Sequence, residues 1–299
     1  MNLVNCKGLS KSYGDKKALN QVDITLHAGS PIALVGPNGA GKTTLFSLLC
    51  GYIAPSAGEV NLLGHKPGSP ELLGRIASLP QDATLDPNLD VLTQLSFFAT
   101  LQGYSDKNAK AEAMRVLNLV DLASSAKQKP SSLSHGMAKR VAIAQALMGT
   151  PELVLLDEPT AGLDPANAKK IRELVKSLST NTTFIISSHN LDELEKLCDQ
   201  VLYLEHGQLR QSVSMNESQH DDYITLTMQH CEPSALIEAV LNLADISSIE
   251  ERQSNQFLIK HNSAEVYGIE IALLNLFKQR NWQYKALLKG RTLEEKLFS

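Results

Sequence analysis

No run in this chain approaches the roughly 18 to 20 uninterrupted apolar residues that a membrane-spanning helix needs. The opening, MNLVNCKGLSKSYGDKK, also lacks the apolar core of a secretory signal, so the expectation is a protein that stays soluble and inside the cell. Cysteine is scarce: Cys6, Cys50, Cys198 and Cys231 show no CxxC or CxxxxC spacing, which reads as reduced thiols serving as small apolar residues and argues against a metal site. Basic excess is missing too. Residues 1–210 carry 20 basic and 20 acidic side chains, residues 211–299 carry 8 and 12, and the net charge is −4. With neither a clustered basic surface nor aromatic-basic alternation, no nucleic-acid partner is expected.

What is present is a chain of 299 residues that is 43% hydrophobic, enough to bury a sizeable core in one large domain with room for a smaller one. The first 210 residues alternate apolar runs with amphipathic stretches, which predicts an α/β domain around a largely parallel sheet. PIALVG (31–36), RIASLP (75–80), ELVLLD (152–157), TTFIISS (182–188) and QVLYLEHGQL (200–209) read as its strands. Between the second and third, residues from about 90 to 130 have helical periodicity with no strand, predicting a helical insertion. The polar segment 211–222 reads as a linker. Residues 223–299 then read strand, helix, two strands, helix, strand, a βαββαβ order expected to form a small α+β, ferredoxin-like domain closed by a short helix at TLEEKLF.

GPNGAGKTT (36–44) follows an apolar strand and opens an apolar-periodic helix, the context that identifies a P-loop. Gly36, Gly39 and Gly41 let the backbone turn its N–H groups toward phosphate oxygens at a helix N-terminus, with Asn38, Ala40 and Thr44 in the same stretch. Lys42 adds a mobile charge for the outer phosphates, and the Thr43 hydroxyl suits a magnesium ion. A glycine-rich turn alone would explain the glycines but not Lys42 and Thr43 at this spacing. ELVLLDEP ends a consecutively apolar strand in two carboxylates: Asp157 suits the metal and Glu158 an attacking water, the alternative being helix capping before Pro159. His189 follows another strand and is either a helix cap or a contact to the terminal phosphate.

This P-loop, the DEP strand, LSHGM (133–137) before a helix, AGLDP (161–165) and His189 occur in an order that resembles the ATP-binding cassette (ABC) ATPases over residues 2 to 210. The resemblance implies that Tyr13 stacks on adenine, that Gln81 touches magnesium and relays nucleotide state to a membrane partner, and that Asp164 belongs to the loop joining two ATP sites. For each a plainer reading stands beside it: edge packing for Tyr13, a solvated amide for Gln81, a helix N-cap with Pro165 at N1 for Asp164. Glu158 matches the family's catalytic base and His189 its switch histidine. Ser134 and Gly136 match the signature positions that reach the terminal phosphate across a dimer, while His135 and Met137 depart from LSGGQ. The implied cofactors are ATP and Mg2+. The implied partners are a second cassette, identical or related, and a separate integral-membrane permease, which places the chain at the cytoplasmic face of the inner membrane as a peripheral subunit. The ending RTLEEKLFS is a loose match to the SLED-F-like segment of bacterial exporter motors. A soluble ABC ATPase acting on ribosomes or DNA, or an ATP-dependent regulator, is the alternative.

Overall fold

In a computed structural model of the chain, residues 2–214, 222–253, 255–262 and 266–298 are described. The chain divides into two compact units, Met1–Ser214 and Met215–Ser299. The first opens with two long antiparallel strands, β1 (Asn2–Tyr13) and β2 (Lys16–His27). After β3 (Ile32–Val35) and helix α1 (Lys42–Leu49), strand β4 (Ala57–Leu62) joins β1 on its other edge, giving a three-stranded antiparallel sheet ordered β2-β1-β4. The sequence pattern did not reveal this sheet.

The remaining strands of the unit are β5 (Ile76–Leu79), β6 (Leu153–Asp157), β7 (Thr183–Ser187), β8 (Gln200–Glu205) and β9 (Gln208–Ser214). With β3 they form a six-stranded sheet ordered β5-β6-β7-β3-β8-β9, parallel except for the last pair. Every residue of β3, β6 and β7 is buried, which is why these strands read as continuous apolar runs and not as alternation. One core gathers Leu45, Phe46, Leu48 and Leu49 of α1 with Leu9 and Ile24 of the antiparallel sheet and Leu34, Leu155 and Leu204 of the parallel one. The helix is thereby gripped by both sheets, and its N-terminus is fixed at the end of β3.

Two expectations need correction here. The run 200–209 is a hairpin and not one strand, because His206 and Gly207 both take left-handed φ values, 47° and 74°, and reverse the chain in two residues. Residues 211–214 of the expected linker are the end of β9, where Ser214 pairs with Gln200. The rest of that linker, except Asp222, lies outside the described residues.

The helical insertion contains α2 (Val91–Leu101) and α3 (Asp106–Leu119), which pack on α4 (His135–Ala146). Asp90 caps α2 by accepting from the Thr93 N–H at 2.7 Å. Buried Gln94 holds the preceding loop, accepting from Asp86 N–H and donating to the carbonyls of Asp86 and Leu89. Buried Glu112 accepts from Arg115 and from the Gly149 N–H, tying α3 to the segment after α4. Helix α5 (Pro165–Leu178) and the short α6 (Leu191–Glu195) complete the unit.

The second unit runs β10 (Tyr223–Met228), α7 (Pro233–Leu241), β11 (Ile246–Gln253), β12 (Gln256–His261), α8 (Val266–Arg280), β13 (Tyr284–Lys289) and α9 (Leu293–Phe298). Its four strands pair antiparallel in the order β11-β12-β10-β13. Ile224, Leu226, Met228, Phe257 and Ile259 face Leu236, Val240, Ile269, Leu273 and Phe277 of α7 and α8. Helix α9 begins in a capping box: Thr292 Oγ1 accepts from the Glu295 N–H, and Glu295 Oε2 accepts from the Thr292 N–H.

The cysteines are all free. Burial pushes the thiols of Cys6 and Cys198 up to about 12 and that of Cys50 to about 11. At pH 8 the thiolate fraction of a group at 12 is about one in ten thousand, so these residues are inert while the fold holds. We therefore expect a thiol reagent at pH 8 to label the partly exposed Cys231 first, and Cys6 and Cys198 only after denaturant is added. Mass spectrometry of the labelled peptides checks this; rapid native labelling of Cys6 or Cys198 would contradict their burial.

Candidate functional site

Strand β3 delivers the chain into residues 36–41, and α1 begins at Lys42. A Cβ at Gly36 would stand 2.0 Å from the Leu204 carbonyl oxygen, and one at Gly41 would stand 2.6 Å from the Ala18 carbonyl oxygen. These two glycines are where the loop threads between β2 and β8, so only a bare backbone passes. Around Gly39 there is no atom within 4 Å of such a Cβ, which leaves the middle of the loop open, with Asn38 exposed beside it. Ala40 is buried; its N–H donates to Pro37 O and its carbonyl accepts from the Gly207 N–H at 3.0 Å, pinning the loop to the β8–β9 turn. Gly41 sits at the N-cap position of α1 with no side chain to cap the helix, so the first-turn N–H groups of Lys42, Thr43 and Thr44 remain to be satisfied from outside. Lys42 Nζ donates to the carbonyls of Gly36 and Pro37, at 2.6 and 3.2 Å, and so holds its charge over the loop.

Opposite the loop is the end of β6. The Thr43 hydroxyl donates to Asp157 Oδ2 at 3.1 Å, and the Ser187 hydroxyl donates to Asp157 Oδ1. Asp157 is thus clamped between α1 and β7, with both oxygens engaged. Glu158 takes φ +49°, a left-handed conformation that costs a non-glycine residue on the order of 1 kcal/mol or more. Its N–H donates to Ser187 Oγ and Ser187 O, at 3.0 and 3.2 Å, which holds that turn. His189 Nδ1 lies 2.9 Å from Glu158 Oε2; the Glu158 side chain is 11% exposed and that of His189 75%. With Glu158 ionised, Nδ1 is the donor, and the rest of the ring projects into the open.

The signature segment forms a second cluster. Ser134 is the N-cap of α4, its Oγ accepting from the Met137 N–H at 3.2 Å. A Cβ at Gly136 would fall 2.7 Å from the Asn167 side chain, so a larger residue there must displace the amide that is hydrogen-bonded to Asp164. Asn167 in turn donates to Asp164 Oδ2 at 2.6 Å, while Asp164 Oδ1 accepts the N–H groups of Ala166 and Asn167. Asp164 is therefore the N-cap of α5 with Pro165 at N1, and the Asn167 hydrogen bonds hold its carboxyl below the usual range. His135 Nε2 lies 3.5 Å from where a Cβ would stand on Gly162, so the residue that departs from LSGGQ packs toward the same loop.

Lys42, Thr43, Asp157, Glu158 and His189 are thus brought together at one sheet edge, and Ser134, Gly136 and Asp164 at another cluster. Two of the residues expected from the sequence stand apart. Tyr13 ends β1, 52% exposed, with Lys11 Nζ 5.3 Å from its ring centroid. Gln81 is exposed, and its backbone carbonyl accepts from Lys139 Nζ at 3.3 Å. The sequence reading missed Ser187, Asn167 and Lys139. Ser187 was visible as the polar end of FIISS; the other two carried no local signal.

An anion cradle at a helix N-terminus, with a hydroxyl and a carboxylate 3.1 Å apart beside it, offers the hard oxygen ligands that magnesium prefers. The residues present fit a nucleoside triphosphate with that ion.

Comparison with known proteins places this geometry. The family model described as ABC transporter matches residues 19–161. The Bacillus subtilis protein YcbN, an ABC transporter ATP-binding protein named as uncharacterized, is 35% identical over 257 residues, 84% of this chain and 83% of that one. The bacitracin transport ATP-binding protein BcrA of Bacillus licheniformis is 33% identical over 84% of this chain and 82% of its own length. The Nod factor export ATP-binding protein I of a Rhizobium strain is 37% identical over 68% of each. Among solved structures, a dimeric ATP-binding cassette in a post-hydrolysis state bound to ADP and Pi superposes with a TM-score of 0.65 at 27% identity, covering 71% of this chain and 99% of that chain. The P-loop, the carboxylates behind it and these relatives lead to one statement: the chain belongs to the ATP-binding cassette ATPases, the ATP-hydrolysing motor proteins of ABC transporters.

Proposed function

We propose that this cassette hydrolyses MgATP to drive export through a separate integral-membrane permease, working as a homodimer or beside a related cassette at the cytoplasmic face of the membrane. The transport reading is carried by relatives aligned over 84% of the chain, ATP-binding proteins of ABC transporters, one of them named for bacitracin transport, and its direction by the relative named for Nod factor export. No described helix is long and apolar enough to cross a membrane, which supports a permease on another chain.

In this reading the loop N–H groups and Lys42 bind the phosphates, and Tyr13 stacks on the adenine. Thr43, Asp157 and Gln81 hold Mg2+, which when bound supplies positive charge to the phosphate oxygens. Glu158 accepts the proton of the attacking water, and His189 keeps that carboxylate aimed through Nδ1 while its exposed edge faces the terminal phosphate. Ser134 and Gly136, at the start of α4, face the phosphates bound by the second cassette, and Asp164 joins the two sites. Contacts made to ATP but not to its products then separate the closed dimer from the open one. The second unit is read as a ferredoxin-like domain, and the groove between Gln81 and the helical insertion as the surface that meets the permease.

Affinity purification of the chain from solubilised membranes tests this. A polytopic membrane protein is expected to copurify and to change the rate of ATP turnover. Recovery on ribosomes or DNA, with no membrane partner and unaltered turnover, would overturn the transport reading.

A further inference from the structure

A cavity of the first unit lies apart from the site described above. It sits between the end of α3, helix α4 and helix α5, and its volume of about 230 Å³ is far more than one water needs. Its charged lining is Arg140, Lys170, Asp121 and Glu173. Arg140 is only 8% exposed. Its Nη1 donates to the Val120 carbonyl at 2.8 Å and so caps the C-terminus of α3. Its Nε is enclosed and has no partner, and among the described residues no carboxylate pairs with the guanidinium. The edge left unused, Nε with Nη2, is the one that presents two parallel N–H groups to a pair of oxygens. A buried guanidinium without a counter-anion is costly, and one neutral carbonyl does not neutralise it. Lys170 faces the same cavity from α5, and among the described residues it too closes no ion pair. Of the two carboxylates, Glu173 reaches Lys169 at 3.7 Å, and Asp121 is exposed.

We propose that this cavity binds a phosphate-sized oxyanion, held by the free edge of Arg140 and by Lys170. Cations on two helices approach from different directions. A tetrahedral anion can answer each with a separate oxygen, whereas a carboxylate spends both of its oxygens on one fork. No lining residue belongs to the loop at 36–44 or to the Asp157–Glu158 edge, so the site is additional to that of the nucleotide. Arg140 stands one turn beyond Gly136 on α4, and Lys170 one turn beyond Asn167 on α5. A bound anion therefore ties α4 to α5 one turn below the Gly136–Asn167 contact and steadies the two helices whose N-caps are Ser134 and Asp164.

The test keeps the nucleotide site closed to the probe. The full chain is saturated with a non-hydrolysable ATP analogue and Mg2+, and inorganic phosphate is titrated against chloride at equal ionic strength. The melting midpoint and the Nε–H resonances of isotope-labelled arginine side chains are followed. At about ten times its dissociation constant, phosphate is expected to raise the midpoint by about 3–5 °C more than chloride. One Nε–H resonance, the one missing from R140K, should shift with it. R140K keeps the charge but lacks the fork, so the rise is lost, and K170Q should need about tenfold more phosphate for the same rise. No rise beyond that in chloride overturns the proposal, as does a full response in both variants. A rise that leaves every arginine resonance unmoved puts the anion elsewhere and overturns it as well. Should R140K not fold, K170Q decides alone, and an unaltered titration in that variant overturns the proposal.

Discussion

Replacing Glu158 with glutamine is expected to lower ATP turnover by about a hundredfold to a thousandfold, the range in which a positioned general base contributes. ATP affinity should stay within about twofold, because the phosphate cradle is built by residues 36–44 and does not depend on this carboxylate. The structure makes the substitution clean. Glutamine keeps the shape of the side chain, its amide oxygen can still accept from His189 Nδ1 at the observed 2.9 Å, and the left-handed turn is held by Ser187 through the backbone N–H. Only the ability to take a proton is lost. With cleavage stopped, the ATP-bound dimer should persist and elute at twice the monomer mass in size-exclusion chromatography, where the parent chain dissociates. Single-turnover kinetics with radiolabelled ATP measures the first effect. Turnover retained within fivefold would remove Glu158 from the role of base and would favour water activation by another group.

The parts of the site that could be read from the sequence are those that are contiguous in it. A P-loop is one strand end, one loop and one helix start, so GPNGAGKTT displays its whole geometry in nine letters. ELVLLDEP is legible because a strand buried on both faces must be apolar throughout and must become polar where it reaches the edge. The antiparallel sheet was not legible for the opposite reason. β1 and β2 are partly exposed, and their register shifts between Cys6 and Leu9 and again between Leu9 and Lys11, so the two-residue alternation changes phase inside the strand. Gly8, in a left-handed conformation, sits in the first of these irregularities. The β8–β9 hairpin carried a signal that was overlooked, the dipeptide His206-Gly207, which suits a two-residue turn. β9 itself ends in QSVS, polar as befits an edge strand and therefore easy to take for linker.

What could not be read are contacts between distant segments. Lys139 and Gln81 are 58 residues apart, and Asn167 reaches Gly136 from another helix. Nothing in SLSHGMAKR says that its glycine is there for an asparagine 31 positions later. His135 was puzzling for the same reason: as a letter it is a departure from LSGGQ, but in space it lies against Gly162, in the loop that ends in Asp164. The substitution falls at an exposed position of the helix start, while the buried Gly136, where any side chain would collide with Asn167, is kept.

The second large effect is expected from Gly36→Ala, and it separates glycines needed for space from those needed for conformation. A Cβ at Gly36 would stand 2.0 Å from the Leu204 oxygen and 3.1 Å from its carbon, with Ala40 Cβ also at 3.1 Å. The obstacle is backbone. It belongs to β8, which is paired with β3 in the register Val35 to Tyr203, so relief requires prising apart neighbouring strands at the centre of the parallel sheet. Overpacking of this kind costs about 1–3 kcal/mol even where side chains can yield, and here none can. In a unit of about 200 residues each kcal/mol lowers the melting midpoint by about 2–4 °C, so a drop of about 5–10 °C is expected. Nucleotide affinity should fall by about a hundredfold or more, since a displacement of about 1 Å in the loop misaligns several N–H donors at once. Gly39→Ala is the control. Its Cβ would meet nothing within 4 Å, so only the cost of φ +80° remains, and its melting midpoint should fall by a small fraction of that seen for Gly36→Ala. Differential scanning fluorimetry with and without ATP measures both variants. If Gly36→Ala melts like the parent chain and binds ATP within threefold of it, the loop does not thread between β2 and β8 as described, and the cradle built on that path fails with it.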